Sequence, residues 1–167
     1  MNNVQVNTER GVTSITAQVQ INAPKSQVWD TLKVIGDIEK FHPLVKSSHA
    51  RTTFQSGLGA RRHCALLPMG QMEEEAVEWE EGKKIVMEVI GGKFLPPYEF
   101  MQGKIELSGA SGVSNVTFTF SYKLKFGILG RMMDVIMIRP QFKKAPPQYV
   151  SGLKEYLEAR RVEVNVE

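Results

Sequence analysis

The chain has 167 residues with 21 basic and 18 acidic side chains, a formal net charge of +3 and one cysteine, Cys64. So even a balance predicts no nucleic-acid partner, and a lone cysteine excludes an internal disulfide framework. No apolar run reaches the roughly 18 residues of a transmembrane helix, and the N-terminus lacks the charged, apolar and small-residue order of a signal peptide, so a cytoplasmic protein with residues 1–167 in one domain is expected.

Met1 to Arg10 is polar and expected to fray. From Thr13 to Ile21 the chain alternates, with Ile15, Ala17, Val19 and Ile21 on one face, which predicts a first strand. Pro24 or Ser26 then starts a helix with Val28, Trp29 and Leu32 as its apolar stripe; Gly36 ends it, and Asp37 caps a second short helix that stops at Pro43. Strands follow near 44–54, 59–67, 71–80, 83–91, 98–108 and 114–126, punctuated by Gly57-x-Gly59, Pro68-Met69-Gly70, Glu81-Gly82, Gly91-Gly92 with Pro96-Pro97, and Ser108 to Gly112. With the first, these make an antiparallel meander of seven strands. Around Glu73 to Trp79 the parity of Met72 and Ala76 conflicts with that of Val77 and Trp79, which predicts a bulge.

The last strand carries Val116, Phe118, Phe120, Tyr122 and Leu124 on one face, and that face must be buried against something. The later segment able to cover it is helical, with Tyr149, Leu153, Tyr156 and Leu157 at spacings of three and four, beginning near Pro147 where proline is tolerated in a first turn. Between them, Gly127 to Ile138 is apolar almost all round, too much so for an ordinary surface helix.

The order Ile21-x-Ala23-Pro24-x-x-x-Val28-Trp29, Phe41-His42-Pro43, Gly57-x-Gly59-Ala60-x-Arg62, Glu74 with Val77-Glu78-Trp79, and Gly152-Leu153-Lys154 resembles the polyketide cyclase/dehydrase and lipid transport branch of the START-like (SRPBCC) superfamily. Relatives there include the birch pollen allergen and abscisic-acid receptor families. The resemblance spans about residues 13 to 160. It implies an α+β helix-grip fold, a seven-stranded antiparallel sheet wrapped around a long C-terminal helix with two short helices after the first strand, and a hydrophobic cavity between sheet and helix. No cofactor is implied. Leu67-Pro68 and Gly91-Gly92 through Tyr98 are similar to the two loops that close over ligand in the abscisic-acid receptors, and Lys46-Ser47 to the position of their carboxylate-binding lysine. The Phe94-Leu95-Pro96-Pro97 sequence and the loop lengths depart from those receptors, so the match locates a pocket mouth and no ligand.

The expected lining is Leu66, Met87, Val89, Tyr98 and Phe100 from the middle strands, Phe118, Phe120 and Tyr122 from the last strand, and Met133, Ile136 and Tyr149 from the helical tail. A dry, unrelaxed cavity of ~300 Å³ would cost about 7 kcal/mol, comparable with a domain's whole stability, so such a cavity is expected to be wet, filled or partly collapsed. Arg62 shares inward parity with Cys64 and Leu66, and the Pro68 to Gly70 turn brings Glu74 across from it, which predicts an ion pair at the cavity wall. Lys46 is placed at the entrance, where it can meet an anionic head group. His42, titrating near neutrality when unperturbed, is a general base only if it is free of a packing role.

Other chemistry is excluded. His63 and Cys64 point to opposite faces of a strand and cannot grip one metal, and Gly57-x-Gly59 leads into a strand rather than a helix. The basic clusters Arg61-Arg62, Lys143-Lys144 and Arg160-Arg161 are short and lack interleaved aromatics. No residue is assigned a catalytic role. The reading is a binding or transport protein for a small hydrophobic molecule such as a lipid, isoprenoid or polyketide-like compound. A cyclase or dehydratase using the same cavity is the alternative, and a module making transient membrane contact through residues 126–138 the second alternative.

Overall fold

Alternating segments joined by short glycine turns form one antiparallel sheet in the structure, a computed structural model that describes residues 4–110 and 112–164. Met1 to Asn3, Ser111 and the Arg161 side chain, which enter the readings above, lie outside the described residues. The strands are β1 Gln5–Glu9, β2 Val12–Ile21, β3 Val45–Ala50, β4 Arg61–Leu66, β5 Gln71–Glu80, β6 Lys84–Lys93, β7 Tyr98–Ala110 and β8 Val113–Leu124. Their order in the sheet is β1-β2-β8-β7-β6-β5-β4-β3. That is eight strands rather than the expected seven. The extra one is β1, which pairs with β2 from Gln5↔Thr16 to Glu9↔Val12 instead of fraying. Arg10 and Gly11, at φ 49° and 83°, are both left-handed and close a tight two-residue hairpin.

Helix α1, Lys25–Leu32, and a 3-10 helix, Ile35–Lys40, follow β2 and close one end of the sheet. Gly36 does not end α1 as expected; it lies inside the 3-10 helix, where an added Cβ would sit 3.0 Å from the Ala50 amide nitrogen. After β8 come α2 Gly127–Met133, a π-helical turn Asp134–Ile138, α3 Arg139–Phe142 and the long α4 Ala145–Val164. Proline occupies the first turn of α4, and Tyr149, Val150, Leu153 and Leu157 bury its inner stripe against β2 and β8.

Four bulges set which side chains turn inward; on β6 the extra residue is Ile90, between Glu73↔Gly91 and Glu74↔Val89. Val77 is the unpaired extra residue between Ala76↔Met87 and Glu78↔Val86, so Ala76 before it and Trp79 after it both turn inward despite odd spacing. This resolves the parity conflict in β5. Trp79 then meets Trp29 of α1 edge to face at 5.5 Å, and both indoles donate to the Glu81 carboxylate. On β7 the extra residue is Glu99, between Tyr98↔Leu124 and Phe100↔Lys123. On β3 it is Lys46, between Val45↔Leu66 and Ser47↔Ala65.

Candidate functional site

Strand β4 meets β5 in a charge-matched register, Arg61↔Glu75, Arg62↔Glu74 and His63↔Glu73. Strand parity separates these pairs by environment. The Arg61 and His63 pairs lie on the outer side, whereas Arg62 and Glu74 are 6% and 4% exposed. Arg62 Nε donates to Glu74 Oε2 at 2.6 Å and Nη1 to the Ile35 carbonyl at 3.1 Å. Burial opposes the Arg62 charge, but Glu74 beside it more than compensates and holds the guanidinium above its ordinary range. Burial pushes the adjacent Cys64 thiol up to about 12, which leaves it unreactive near neutrality.

The ion pair forms part of the wall of a cavity of about 380 Å³ between the sheet and the helical tail. Met87, Met101, Ile105, Phe118 and Phe120 supply its floor; Ile138, Phe142 and Tyr149 cover it. Phe118 stacks on Tyr149 with ring centroids 4.3 Å apart, which fixes one end. At the mouth stand the Leu67 to Met69 turn, with a cis Leu67-Pro68 bond, and the Phe94 to Pro96 turn. The polar members of the wall are His42, Arg62, Glu74, Gln141 and Tyr149.

His42 is buried edge-on to the Tyr149 ring, and its Nδ1 accepts the Leu44 amide at 3.3 Å. Burial, with a contribution from Arg62, lowers its pKa from 6.5 to about 4. The folded protein therefore resists protonation of a ring that the unfolded chain protonates readily. Stability from this source is fully present above pH 6.5 and is lost as pH falls from there towards 4. Compared with His42→Asn, whose amide oxygen can replace Nδ1 as acceptor, the wild-type protein is expected to lose about 2 kcal/mol by about pH 5. Urea midpoints measured across this range check it: parallel profiles for the two proteins would contradict a neutral buried His42.

The structure brings Arg62, Leu66, Glu74, Met87, Phe118, Phe120 and Tyr149 together in the cavity wall and leaves the other expected lining residues outside it. Phe100 shares the ordinary two-residue parity of Gln102 and Lys104, so Met101 and Gly103 take the inward positions, and the Glu99 bulge brings Tyr98 to the side of Met101. Tyr98 and Met133 pack on a second apolar cluster around Ile15, Val89 and Met101. Tyr122 lies in that cluster too and donates its hydroxyl to the buried carboxylate of Asp134, which also accepts from Thr13 and Arg139. Lys46, as the bulged residue of an edge strand, faces solvent, and Ile136 is exposed on the far side of its helical turn. Met101 and Ile105 were missed because the expected lining followed the spacing of Tyr98 and Phe100, which the Glu99 bulge breaks; the alternation of Met101, Ile105 and Leu107 with Gln102, Lys104 and Glu106 was the signal that could have found them. Ile138 and Phe142 stood in an apolar tail whose inner side no period singled out.

A family described as polyketide cyclase/dehydrase and lipid transport matches residues 12–158. No curated protein matches in sequence. Among solved structures, TTHA0849 from Thermus thermophilus is 18% identical, aligns over 88% of this chain and 98% of its own, and superposes with a TM-score of 0.71. Ara h 8.0201 is 16% identical over 89% of this chain and 99% of its own, with a TM-score of 0.69. At such identities the two structures establish a shared helix-grip fold and nothing about ligand.

Proposed function

The chain belongs to the polyketide cyclase/dehydrase and lipid transport family, and from that premise we propose that it binds and carries a small hydrophobic molecule of the lipid, isoprenoid or polyketide-like kind. The observation that carries this reading is the cavity of about 380 Å³, whose wall is mostly aliphatic, methionine and aromatic. Kept dry and unrelaxed, that volume would cost about 9 kcal/mol, as much as many domains have in total. A fold retaining it gains most from an apolar occupant.

Binding is favoured over catalysis by the state of the polar wall groups. His42, with a pKa near 4, is a weak base; burial raises the Tyr149 hydroxyl above its ordinary range; and Arg62 and Glu74 are committed to each other. A cyclase or dehydratase needs a group able to move protons near neutrality. The ion pair does indicate the ligand's polar end. Arg62 Nη2 has no hydrogen bond among the described residues, and neither has Glu74 Oε1, so the pair offers a donor and an acceptor without net charge. A hydroxyl or ketone suits it better than a carboxylate, which would leave an uncompensated buried charge.

The test is organic extraction of natively purified protein with mass spectrometry, followed by displacement of a hydrophobic fluorophore by alkanols, alkanones and fatty acids of equal length. A stoichiometric apolar compound is expected, with alkanol and alkanone the better competitors. Leu66→Trp, whose half-buried side chain would extend into the cavity, is expected to weaken fluorophore binding at least about tenfold. Unchanged affinity in that variant would refute the cavity as the binding site.

A further inference from the structure

The connection from β8 to α4 carries an apolar surface that the cavity does not use. Phe126, Ile128, Leu129 and Ile136 are 66%, 76%, 73% and 71% exposed, and Val135 and Met137 are more than half exposed. Single exposed apolar residues are ordinary, but this many within one helical connection are not. Within residues 125–144 the exposed charges have one sign. Lys125, Arg131, Lys143 and Lys144 are exposed and make no ion pair among the described residues. Asp134, the one acid between residues 125 and 144, is buried and taken up by Thr13, Tyr122 and Arg139. That network ties the connection to β2 and β8 and holds its apolar side outward.

We propose that this face docks on the surface of an anionic lipid bilayer, with the exposed apolar side chains in the acyl boundary and the four cations among the headgroups. An apolar face rimmed by unpaired lysine and arginine has the composition of an interfacial helix. No helix among the described residues is long and apolar enough to cross a membrane, so the segment lies on the bilayer. A second copy of the chain fits worse. A two-fold contact through this face would bring the same four cations together with no exposed acid of the segment to meet them. The position adds a consequence. The segment begins against the Phe94 to Pro97 turn, where the Lys125 amide donates to the Pro97 carbonyl, and its end supplies Ile138 and Phe142 to the cavity wall. Docking would therefore place the cavity mouth beside lipid.

The experiment is flotation of the full chain with vesicles of phosphatidylcholine alone or mixed with phosphatidylglycerol, at low and high salt. Binding to the mixed vesicles at low salt, weakened by added salt, is expected. Each surface cation contributes about a fivefold preference, so Lys143→Gln with Lys144→Gln should lower the partition coefficient about 25-fold. Ile128→Ser, Leu129→Ser and Ile136→Ser combined should abolish binding with the melting temperature unchanged, because those side chains are already in water. No binding to the mixed vesicles, binding retained by the triple variant, or a dimer in sedimentation equilibrium that the triple variant dissolves would each overturn the proposal. Fluorophore uptake by the triple variant reports on the cavity separately, so the two readings can fail independently.

Discussion

Arg62→Ala is expected to destabilise the protein by about 3 to 5 kcal/mol, enough to unfold a marginal domain. The loss does not measure the attraction between Arg62 and Glu74. It is the penalty of leaving the Glu74 carboxylate, 4% exposed, without its cation, together with the Ile35 carbonyl stripped of its donor. Replacing both residues by methionine removes the two charges while keeping the volume and leaves only the Ile35 carbonyl without its donor, so the double variant is expected to lie within about 2 kcal/mol of wild type and well above the single. Urea unfolding with unchanged m-values gives the comparison. A double variant as unstable as the single would show that the cost comes from packing rather than the orphaned charge. The stable double variant also separates structure from binding. If it takes up ligand like the wild type, the pair is a wall support; if it folds and no longer does so, the pair holds the ligand's polar end.

Gly152→Ala is expected to cost about 2 kcal/mol, against the sign that helix propensity alone predicts. In a helix interior alanine is favoured over glycine by about 1 kcal/mol. Gly152 lies in α4, however, where the helix crosses the end of the 3-10 helix, and an added Cβ would sit 1.8 Å from the Phe41 carbonyl oxygen. That neighbour is backbone, its peptide tied to the 3-10 helix by the Phe41 and His42 amides, and Pro43 stands 3.3 Å from the same Cβ, so α4 itself must move. Moving it separates Tyr149, 2% exposed, from Phe41 and His42, which meet it edge to face. Overpacking of this kind costs about 1 to 3 kcal/mol or more and outweighs the propensity gain. Calorimetry decides the sign: a melting temperature at or above that of wild type would mean that α4 has room to shift. The same contact gives a physical reason for glycine in Gly152-Leu153-Lys154, which the sequence shows only as a pattern.

Much of the molecule follows from local rules. Two-residue alternation marks β2 and β8, glycine and proline turns delimit the strands between them, and the 3- and 4-residue spacing of Tyr149, Leu153 and Leu157 marks the inner stripe of α4. The Arg62 to Glu74 pairing was legible because the Pro68 to Gly70 turn is short, and a short hairpin leaves few registers. β1 was not, since Arg10-Gly11 carries only half of a strong hairpin signal, and a polar strand gains its stability from an edge that sequence does not display.

Side-chain chemistry and spacing by themselves determined the strand positions, the buried ion pair and the long covering helix, while the family entered as a resemblance in the order of motifs. Tertiary structure decided where the bulges fall, which brings Tyr98 rather than Phe100 to the side of Met101 and leaves Lys46 outside the cavity. It also decided that Ile136 is exposed while Ile138 and Phe142 cover the cavity, and that His42 is held neutral. The reason is common to these cases. Periodicity reports a local preference for burial, but a one-residue bulge reverses a whole face at little cost. What finally covers an apolar segment, or desolvates a histidine, is set by parts of the chain far away in sequence.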